Sequence, residues 1–431
     1  GGVFAREDPA DTVHGGGVMK WLIDHSTTQN FDVPLCFGLD LPAGYTTRLT
    51  PSHTVAATVG HTLLVSRDPT REKMQMWYST ASQQGQKGVC QDTVMVWPEF
   101  LAGGNPSKHP TPPPAPAPLV PPAAAAEEGN VEMQNVTVQV QADGPPQPPP
   151  PRPAEDYRIP MMGVYDGHGG QGHKVANLVR DLVPLALKDV VEPLSDTDVV
   201  VDWDEVLPRA YAACDQRIRE LDGNQKCRIS SQCAGTTGNT VVLDGDRLTM
   251  CSVGDSRIVL GKINQQTGNV SMVACSREHR PTDLDERSRL SRSGGVVRSV
   301  PTEPNRQRLW PADVQDAIEG KCELSSPGLC MSRAFGDSVL KGCGLIVDPY
   351  VATVKLDPAE TYVLIISSDG VWDVISSIAA MQLVAKQKLE ENASQALINQ
   401  ATAEWTSKYP FIPMDDMGVA TAIIRSANTN S

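Results

Sequence analysis

The sequence has few of the features that mark membrane-spanning, secreted or nucleic-acid-binding proteins. No apolar run in its 431 residues approaches the ~20 residues that a bilayer requires, and the opening GGVFARED has no signal-peptide order of charge and apolar residues. The formal net charge is −14, which argues against nucleic acid or an anionic membrane as the main partner. We therefore expect neither a membrane span nor a nucleic-acid partner.

Closely spaced metal-binding cysteines and histidines are also missing. The ten cysteines are scattered, without a C-x2-C pair or an H-E-x-x-H run. This scatter is typical of reduced thiols, so we expect a cytoplasmic or nuclear protein. The acidic composition makes carboxylates the abundant candidate ligands for a metal.

Proline is unevenly distributed. The segment 101–153 contains 16 of the 35 prolines, a density that excludes helix interiors and central strands. We interpret it as a disordered or polyproline II insertion, which could bind a proline-recognising domain but is more simply explained as a passive linker. Residues 1–72 show only weak signals, and we treat them as an N-terminal extension without an assigned role.

Alternating and continuous apolar runs predict β-strands. Residues 74–82, 92–97 and 158–165 are predicted strands, the last of which runs into a predicted turn in VYDGHGGQG. Residues 238–261 are predicted to form three consecutive strands joined by tight turns and therefore antiparallel. The stretches TYVLIISS and MGVATAIIRS near the end predict two more strands.

Helical spacing of apolar residues predicts two amphipathic helices, over residues 175–186 and 207–221. A further helical region is predicted from about 376 to 406. Antiparallel strands interleaved with pairs of helices favour an α+β fold in which helices cover sheets, and disfavour a parallel β-α-β array.

Four aspartates occupy comparable places on the predicted strands. Asp166 and Asp369 follow strands, whereas Asp92 and Asp415 precede them. In an antiparallel sheet those two kinds of strand end share one rim. Two carboxylates ~4 Å apart repel by roughly 4 kcal/mol at an effective dielectric constant of 20, so such a cluster must be protonated or hold metal. Oxygen ligands favour Mg²⁺ or Mn²⁺.

Five sequence blocks resemble, in the same order, the signature blocks of the metal-dependent (type 2C, PPM) serine/threonine protein phosphatases. They are VYDGHGG, CAGTTGNT, CSVGDSR, PGLCMSRAFGD and SSDGVWDVIS. The resemblance covers residues 73–426 apart from the insertion at 101–153. It implies a central sandwich of two antiparallel β-sheets with helices on both faces and a two-metal site at one rim.

The resemblance also implies roles for individual residues. Asp166 would bridge two Mg²⁺ or Mn²⁺ ions and Gly167 would bind one of them through its carbonyl oxygen. His168 is similar to the histidine that protonates the leaving oxygen. The remaining metal ligands would be Asp92, Asp369 and Asp415, with Asp255 and Asp373 as candidates for a third ion.

A different role stays open for two of these residues, because Asp255 and Asp373 could be simple turn and helix-capping residues. The activity that the resemblance implies is hydrolysis of phosphoserine and phosphothreonine in proteins. A metal-activated water would attack phosphorus, without a phospho-enzyme intermediate. Phosphorylated proteins would be the partners, and we expect a monomer.

The sequence departs from the family pattern near Asp92. Gln91 stands where many members have a glutamate, and an amide brings no charge to water around a metal. Lys87 replaces an arginine that grips substrate phosphate, so we expect weaker phosphate binding. In DDM at 415–417 we take Asp415, and not Asp416, as the ligand.

These departures leave alternatives to the phosphatase hypothesis open. A catalytically weak or inactive pseudophosphatase would bind phosphoproteins without hydrolysing them, although retention of four costly acids argues against it. Hydrolysis of a small phosphoester is a more remote alternative.

Residues 285–325 correspond to the variable flap of the family, and residues 427–431 are a C-terminal tail. The flap contains a basic run that could guide phosphopeptides, although a solvated helix face explains these side chains equally well. The run consists of Arg287, Arg289, Arg292 and Arg298.

Overall fold

The structure is a computed structural model, and it describes residues 58–64, 71, 73–86, 88–103, 157–191, 201–222, 229–300, 303–323 and 326–427. The chain divides into two compact units, one of residues 1–102 and 157–431 and the other of residues 103–156. Apart from Gly103, the described residues belong to the first unit. Most of the proline-rich insertion and of the N-terminal extension, and Lys87, lie outside the described residues.

One antiparallel sheet has six strands in the spatial order β1-β2-β15-β14-β8-β9. Its central strands alternate: Leu364 and Ile366 point between the two sheets, whereas Val363 and Ile365 point to the opposite face, as the two-residue period of a strand requires. The strands are β1 (Thr58–Leu64), β2 (Met74–Gln83), β8 (Arg257–Ile263), β9 (Val270–Cys275), β14 (Thr361–Ser367) and β15 (Met417–Ser426).

The other sheet has seven strands. Six follow the order β12-β5-β4-β6-β7-β13, and β3 pairs with β4. The strands are β3 (Asp92–Gly103), β4 (Tyr157–Gly169), β5 (Ala234–Thr236), β6 (Gly238–Asp244), β7 (Arg247–Val253), β12 (Phe335–Gly336) and β13 (Tyr350–Lys355).

Helices cover the outer faces of both sheets. On the seven-stranded sheet lie α1 (Gly172–Val191) and α2 (Trp203–Leu221), whose buried faces share a core with β4 and β7. On the six-stranded sheet lie α7 (Ser377–Val384) and α8 (Ala393–Lys408), which pack on β14 and β15. A third apolar cluster fills the space between the sheets. The predicted α+β sandwich with helices on both faces is therefore confirmed, and none of the described helices is apolar over a length that would cross a bilayer.

The flap consists of a hairpin and two short helices. Its elements are α3 (Leu284–Arg292), β10 (Val296–Val300), β11 (Glu303–Trp310) and α4 (Val314–Ile318). The two strands form a two-stranded sheet of their own, and Leu309 of β11 also forms an antiparallel bridge with Leu329. Two further short helices, α5 (Ser338–Lys341) and α6 (Asp369–Trp372), follow β12 and β14.

The structure corrects one strand-pairing prediction. β6 and β7 form the expected antiparallel hairpin, but β7 pairs next with β13 and β8 pairs with β14 in the other sheet. The link around Gly254 and Asp255 therefore crosses between the sheets instead of closing a hairpin. Sequence pattern alone does not distinguish these cases, because a tight turn is compatible with either partner.

The predicted turn in VYDGHGGQG is also corrected. Residues 166–169 continue β4 and pair with β5, so that Gly167 faces Thr236 and His168 faces Gly235. Asp166 therefore lies within a strand and not just after one. The turn comes later, at residues 170 and 171, immediately before α1.

Strands also extend beyond two predicted boundaries. β1 lies within the predicted N-terminal extension and pairs with β2, so part of that extension completes a sheet. β3 continues through Gly103, three residues into the predicted insertion. The remaining domain boundaries stay predictions.

Candidate metal centre

The structure brings the predicted aspartates to one rim of the sandwich. Asp166 lies within β4, Asp92 begins β3, Asp369 begins α6 directly after β14, and Asp415 stands two residues before β15. Burial raises the pKa of Asp166 well above its usual value, and the charges of its neighbours raise it further. Those neighbours are Asp92, Asp369, Asp415 and Asp255. Carboxylates from separate strands therefore repel one another at a single place.

Asp92 is a buried carboxylate, with a relative exposure of 6%. Burial raises its pKa to about 7, although hydrogen bonds with Ser368 and Asp166 act in the opposite direction. The Ser368 hydroxyl donates to Asp92 Oδ2, and the Gly418 N–H donates to the same hydroxyl at 3.0 Å. Asp92 is thereby fixed to the ends of β14 and β15.

Asp369 is the third carboxylate at the rim whose pKa is raised, after Asp166 and Asp92. Burial raises its pKa well above the usual value, and the charges of Asp255, Asp415 and Asp373 contribute in that order. Asp255 is buried at 3% relative exposure in the link between the sheets. Its pKa is raised by burial, while the charge of Arg280 lowers it. Asp255 and Asp373, the two candidate ligands for a third ion, therefore both lie close enough for their charges to act on Asp369.

Gly167 is held where only glycine fits. Its N–H donates to the carbonyl oxygen of Gln91 at 3.1 Å. A Cβ atom at this position would lie 2.5 Å from the carbonyl oxygen of Gly172, at the start of α1. The backbone beside Asp166 can therefore approach both α1 and the residue preceding Asp92.

Several buried polar atoms at this rim have no hydrogen-bond partner among the described residues. They are Gln91 Oε1, Asp92 Oδ1, Asp255 Oδ1 and His168 Nδ1. Buried polar atoms are normally satisfied, and three of these four are oxygens, the atoms that Mg²⁺ and Mn²⁺ prefer. The donor set and the raised acid pKa values fit divalent cations. Within the described residues, no three His, Cys, Asp or Glu side chains already stand in a coordinating arrangement.

His168 is paired with a carboxylate that sequence reasoning missed. Its Nε2 lies 2.6 Å from Asp337 Oδ2, and Asp337 is buried at 3% relative exposure. Asp337 has φ 48° and is the one non-glycine residue with positive φ in the described part of the chain. Such strain clusters at functional sites, so the outlier is a structural signal that the sequence does not carry.

Two arginines outside the basic run of the flap act on the acidic rim. In the flap, Arg289 binds buried Glu286, Arg298 donates to Gln315, and Arg287 and Arg292 are exposed on α3. Desolvation raises the pKa of Asp373, while the charges of Arg280 and of Arg306, on β11, lower it. The charges of Arg280 and Arg306 therefore act on Asp373 at the acidic rim, and a substrate-guiding role for the basic run of the flap stays a prediction.

Comparisons with known proteins identify the family of this chain. The family model for Protein phosphatase 2C matches residues 148–408, more than half of the chain. This chain belongs to the protein phosphatase 2C family, which confirms the resemblance found in its sequence. The matched range contains Asp166, Asp255, Asp369 and Asp373. Asp92 and Asp415 fall outside it, so their position beside Asp166 is known from the structure alone.

Individual relatives are also named as protein phosphatases 2C. The chain is 35% identical over 260 residues to "Probable protein phosphatase 2C 64" of Oryza sativa subsp. japonica, covering 60% of this chain and 57% of that protein. It is 31% identical over 279 residues to "Probable protein phosphatase 2C 73" of Arabidopsis thaliana, covering 62% of this chain and 71% of that protein. The chain thus spans less than two thirds of the rice relative's length.

A solved structure supports the fold. The serine-threonine phosphatase 2C from Toxoplasma gondii superposes with a TM-score of 0.58 at 20% sequence identity, covering 85% of this chain and 99% of that chain. At this identity the comparison demonstrates the sandwich architecture. The roles of individual site residues stay predictions.

Proposed function

We propose that this chain hydrolyses phosphoserine and phosphothreonine in proteins with the help of two Mg²⁺ or Mn²⁺ ions. Membership of the protein phosphatase 2C family supports the class of reaction. The observation that carries the finer proposal is the meeting of Asp92, Asp166 and Asp369 at one rim, where burial raises the pKa of each carboxyl and the charges of Asp92 and Asp369 raise that of Asp166 further. Bound divalent cations would relieve that repulsion.

In this proposal the residues at the rim hold the divalent ions. Asp92, Asp166, Asp369 and Asp415, with the carbonyl oxygen of Gly167, would hold the two ions, and Asp255 with Asp373 would hold a third. The ions would supply an activated water and neutralise charge that develops on the phosphoryl oxygens. Attack by water on phosphorus needs no phospho-enzyme intermediate.

His168 is the proposed general acid. It would pass a proton to the serine or threonine oxygen as that oxygen leaves phosphorus. Burial by itself lowers the pKa of His168, but the charge of Asp337 and its hydrogen bond outweigh that effect and raise the pKa. Asp337 therefore favours the protonated imidazole that a general acid requires. Lys87, which lies outside the described residues, would bind the substrate phosphate.

A phosphate-release assay tests the activity. Purified protein with millimolar Mn²⁺ should release phosphate from a phosphothreonine peptide, and Asp166→Ala or Asp369→Ala should lose most of the turnover. Asp357→Asn is a suitable control, because Asp357 is exposed and accepts a hydrogen bond from the Ala359 N–H at 2.9 Å, a bond that asparagine can also accept. Normal metal binding without any phosphate release would refute the proposal.

A pseudophosphatase is the second candidate, and the neutral side chain of Gln91 favours it. Its Oε1 is buried without a partner among the described residues, where an acid would add a charge for metal-bound water. Calorimetry that detected phosphopeptide binding but no binding of Mn²⁺ would support this candidate. Faster hydrolysis of small phosphoesters than of phosphopeptides would instead point to a metabolite phosphatase.

The remaining expectations are proposals that rest on sequence alone. They are a cytoplasmic or nuclear location, a monomeric state, and a passive or proline-binding role for the insertion at 101–153; the N-terminal extension at 1–72 has no assigned role. Fractionation of cells and size-exclusion chromatography would test the first two directly.

A further inference from the structure

Asp416 is a buried carboxylate beside the proposed metal ligands that has no part in the proposed reaction. Its relative exposure is 7%. Its Oδ1 accepts the Gly85 N–H at 2.7 Å, and its Oδ2 accepts the Gln91 N–H at 2.8 Å. One side chain therefore binds both ends of the loop that joins β2 to β3, and the partners are more than 320 residues away in the chain.

The residue that follows this loop is Asp92, and the bond to Gln91 is one of several that fix the pair Gln91–Asp92. The Gln91 carbonyl oxygen accepts the Gly167 N–H, and Asp92 Oδ2 accepts the Ser368 hydroxyl. Asp416, Gly167 and Ser368 belong to the ends of β15, β4 and β14. The dipeptide is thus attached to three different strands that carry proposed metal ligands.

Asp416 also acts on the neighbouring ligand through its backbone. Its N–H donates to Asp415 Oδ1 at 3.0 Å, which orients that carboxylate. The loop lies directly against this segment: a Cβ atom on Gly85 would be 2.4 Å from the carbonyl oxygen of Met414, and the Gln86 N–H donates to the same oxygen at 2.9 Å. Asp416 therefore binds the residue that precedes Asp92 through its side chain and binds Asp415 through its backbone N–H.

We propose that Asp416 is a positioning residue that uses both carboxylate oxygens to hold the β2–β3 loop, and thereby Asp92 and Asp415, in place for divalent-ion binding. The inference rests on the proposed function of this site. A carboxylate is required because both partners are N–H donors. Asparagine has one acceptor oxygen, and its NH₂ group would face the second donor. Residues that support metal ligands in this way typically contribute 10- to 100-fold to metal affinity.

Amide hydrogen exchange and Mn²⁺ calorimetry on the full chain test the proposal without substrate. In Asp416→Asn we expect at least about tenfold faster exchange at the Gly85 or Gln91 amide, and about tenfold weaker Mn²⁺ binding. The matched control is again Asp357→Asn, which should change neither quantity. A merely structural role would change the unfolding temperature but leave the Mn²⁺ affinity of the folded protein unaltered.

A second variant covers the case in which Asp416→Asn does not fold. Gly85→Ala leaves the carboxylate intact but forces the loop away from the Met414 carbonyl, so it should reproduce the faster exchange and the weaker Mn²⁺ binding. Unchanged exchange at both amides, or unchanged Mn²⁺ affinity, in a folded variant would overturn the proposal. Neither measurement requires catalysis, so a failed phosphatase assay would not be mistaken for failure of the positioning role.

Discussion

His168 Nε2 and Asp337 Oδ2 lie 2.6 Å apart, although the two residues are separated by 169 positions in the chain. Asp337 reaches the ring from a backbone with φ 48°, a conformation that L-residues adopt at a cost. The Asp337 N–H donates to the carbonyl oxygen of Ala234 at 3.1 Å, which helps to hold this conformation. Asp337 raises the pKa of His168 and so favours the protonated imidazole beside the proposed metal centre.

Substituting Asp337 by asparagine should impair proton donation selectively. We expect Asp337→Asn to reduce kcat for a phosphothreonine peptide by about 10- to 100-fold, part of the effect that a positioned general acid contributes. Hydrolysis of p-nitrophenyl phosphate should fall much less, because its leaving group needs little protonation. Steady-state kinetics on both substrates provide an internal control, and an equal loss on both would contradict the assignment.

The pH profile of the same variant should shift in one direction only. A general acid must be protonated, so kcat falls as the pH rises through its pKa. Asp337 raises the pKa of His168, and its neutralisation should therefore move the alkaline limb of the kcat profile to lower pH. A limb that stays in place, or moves to higher pH, would exclude His168 as the titrating acid.

Removal of divalent ions should make stability depend on pH at the carboxylate rim. Burial raises the pKa of Asp92 to about 7, above the ~3.9 of an unfolded aspartate. Between these values the folded state binds more protons than the unfolded state, so the free energy of unfolding decreases as the pH rises. Mn²⁺ binds the deprotonated form, so it should raise Tm more at pH about 8 than at pH about 5.

Thermal unfolding with and without chelator measures this effect, and Asp92→Asn is the informative variant. It should lose part of the pH dependence of the metal-free protein and part of the stabilisation by Mn²⁺, whereas Asp357→Asn should retain both. A Tm shift by Mn²⁺ that is larger at pH about 5 than at pH about 8 would show that Asp92 does not titrate with a raised pKa.

The base of the flap should be stabilised by Glu286. This carboxylate is fully buried and accepts from Arg289 at 2.7 Å and Arg333 at 2.6 Å. Burial would raise its pKa, but the hydrogen bonds from Arg289, Arg333 and Ser332 hold it far below the usual range. Glu286→Gln would remove the negative charge that pairs with Arg289 and Arg333. Because it leaves these partly buried cations without their partner, the variant should lower the free energy of unfolding by about 3 kcal/mol.

The pH dependence of this contribution has the opposite sign to that of Asp92. The folded state lowers the pKa of Glu286, so this carboxylate stabilises the folded protein at pH values above its pKa in the unfolded chain. The stabilisation is lost as the pH falls through the lower pKa that Glu286 has in the folded protein. Urea unfolding at neutral and acidic pH should therefore show a smaller difference between wild type and Glu286→Gln in acid. Glu360→Gln, which neutralises a half-buried partner of the more exposed Lys262, should have little effect at either pH.

Arg306 should contribute to substrate binding from the flap. Its side chain is exposed on β11, and its charge acts on Asp373. We expect Arg306→Ala to raise KM for a phosphothreonine peptide about threefold, the size of an exposed ionic interaction, with kcat unchanged. Arg292→Ala, on the exposed face of α3, is the control; an equal rise in KM for both variants would indicate only nonspecific charge.

Local pattern was sufficient for much of the fold. The existence of β2, of most of β4 and of α1 was predictable, because apolar periodicity within each segment fixes its type; residues 166–169 of β4 were wrongly predicted as a turn. Strand partners were not predictable in the same way. β7 and β8 are consecutive in the chain but lie in different sheets, because β7 pairs with β13 and β8 pairs with β14.

The same limit applies to the site. Asp166 and Asp369 were identifiable as candidate ligands from ordered motifs, although Asp166 lies within β4 and not at its predicted end. The roles of Asp337 and Asp416 were not, because each depends on a partner far away in sequence and on an atom-level geometry: a positive φ in one case and two backbone N–H groups in the other. Arg306 was missed because an arginine on a strand has no local signal for which surface it faces.

Anomalous diffraction from crystals soaked in Mn²⁺ would show whether divalent ions hold the carboxylates of the rim together. We expect two manganese peaks among Asp92, Asp166, Asp369 and Asp415, one of them also next to the carbonyl oxygen of Gly167. Well-diffracting, fully soaked crystals with no peak among these carboxylates, or with peaks only elsewhere, would contradict a binuclear metal centre at this rim.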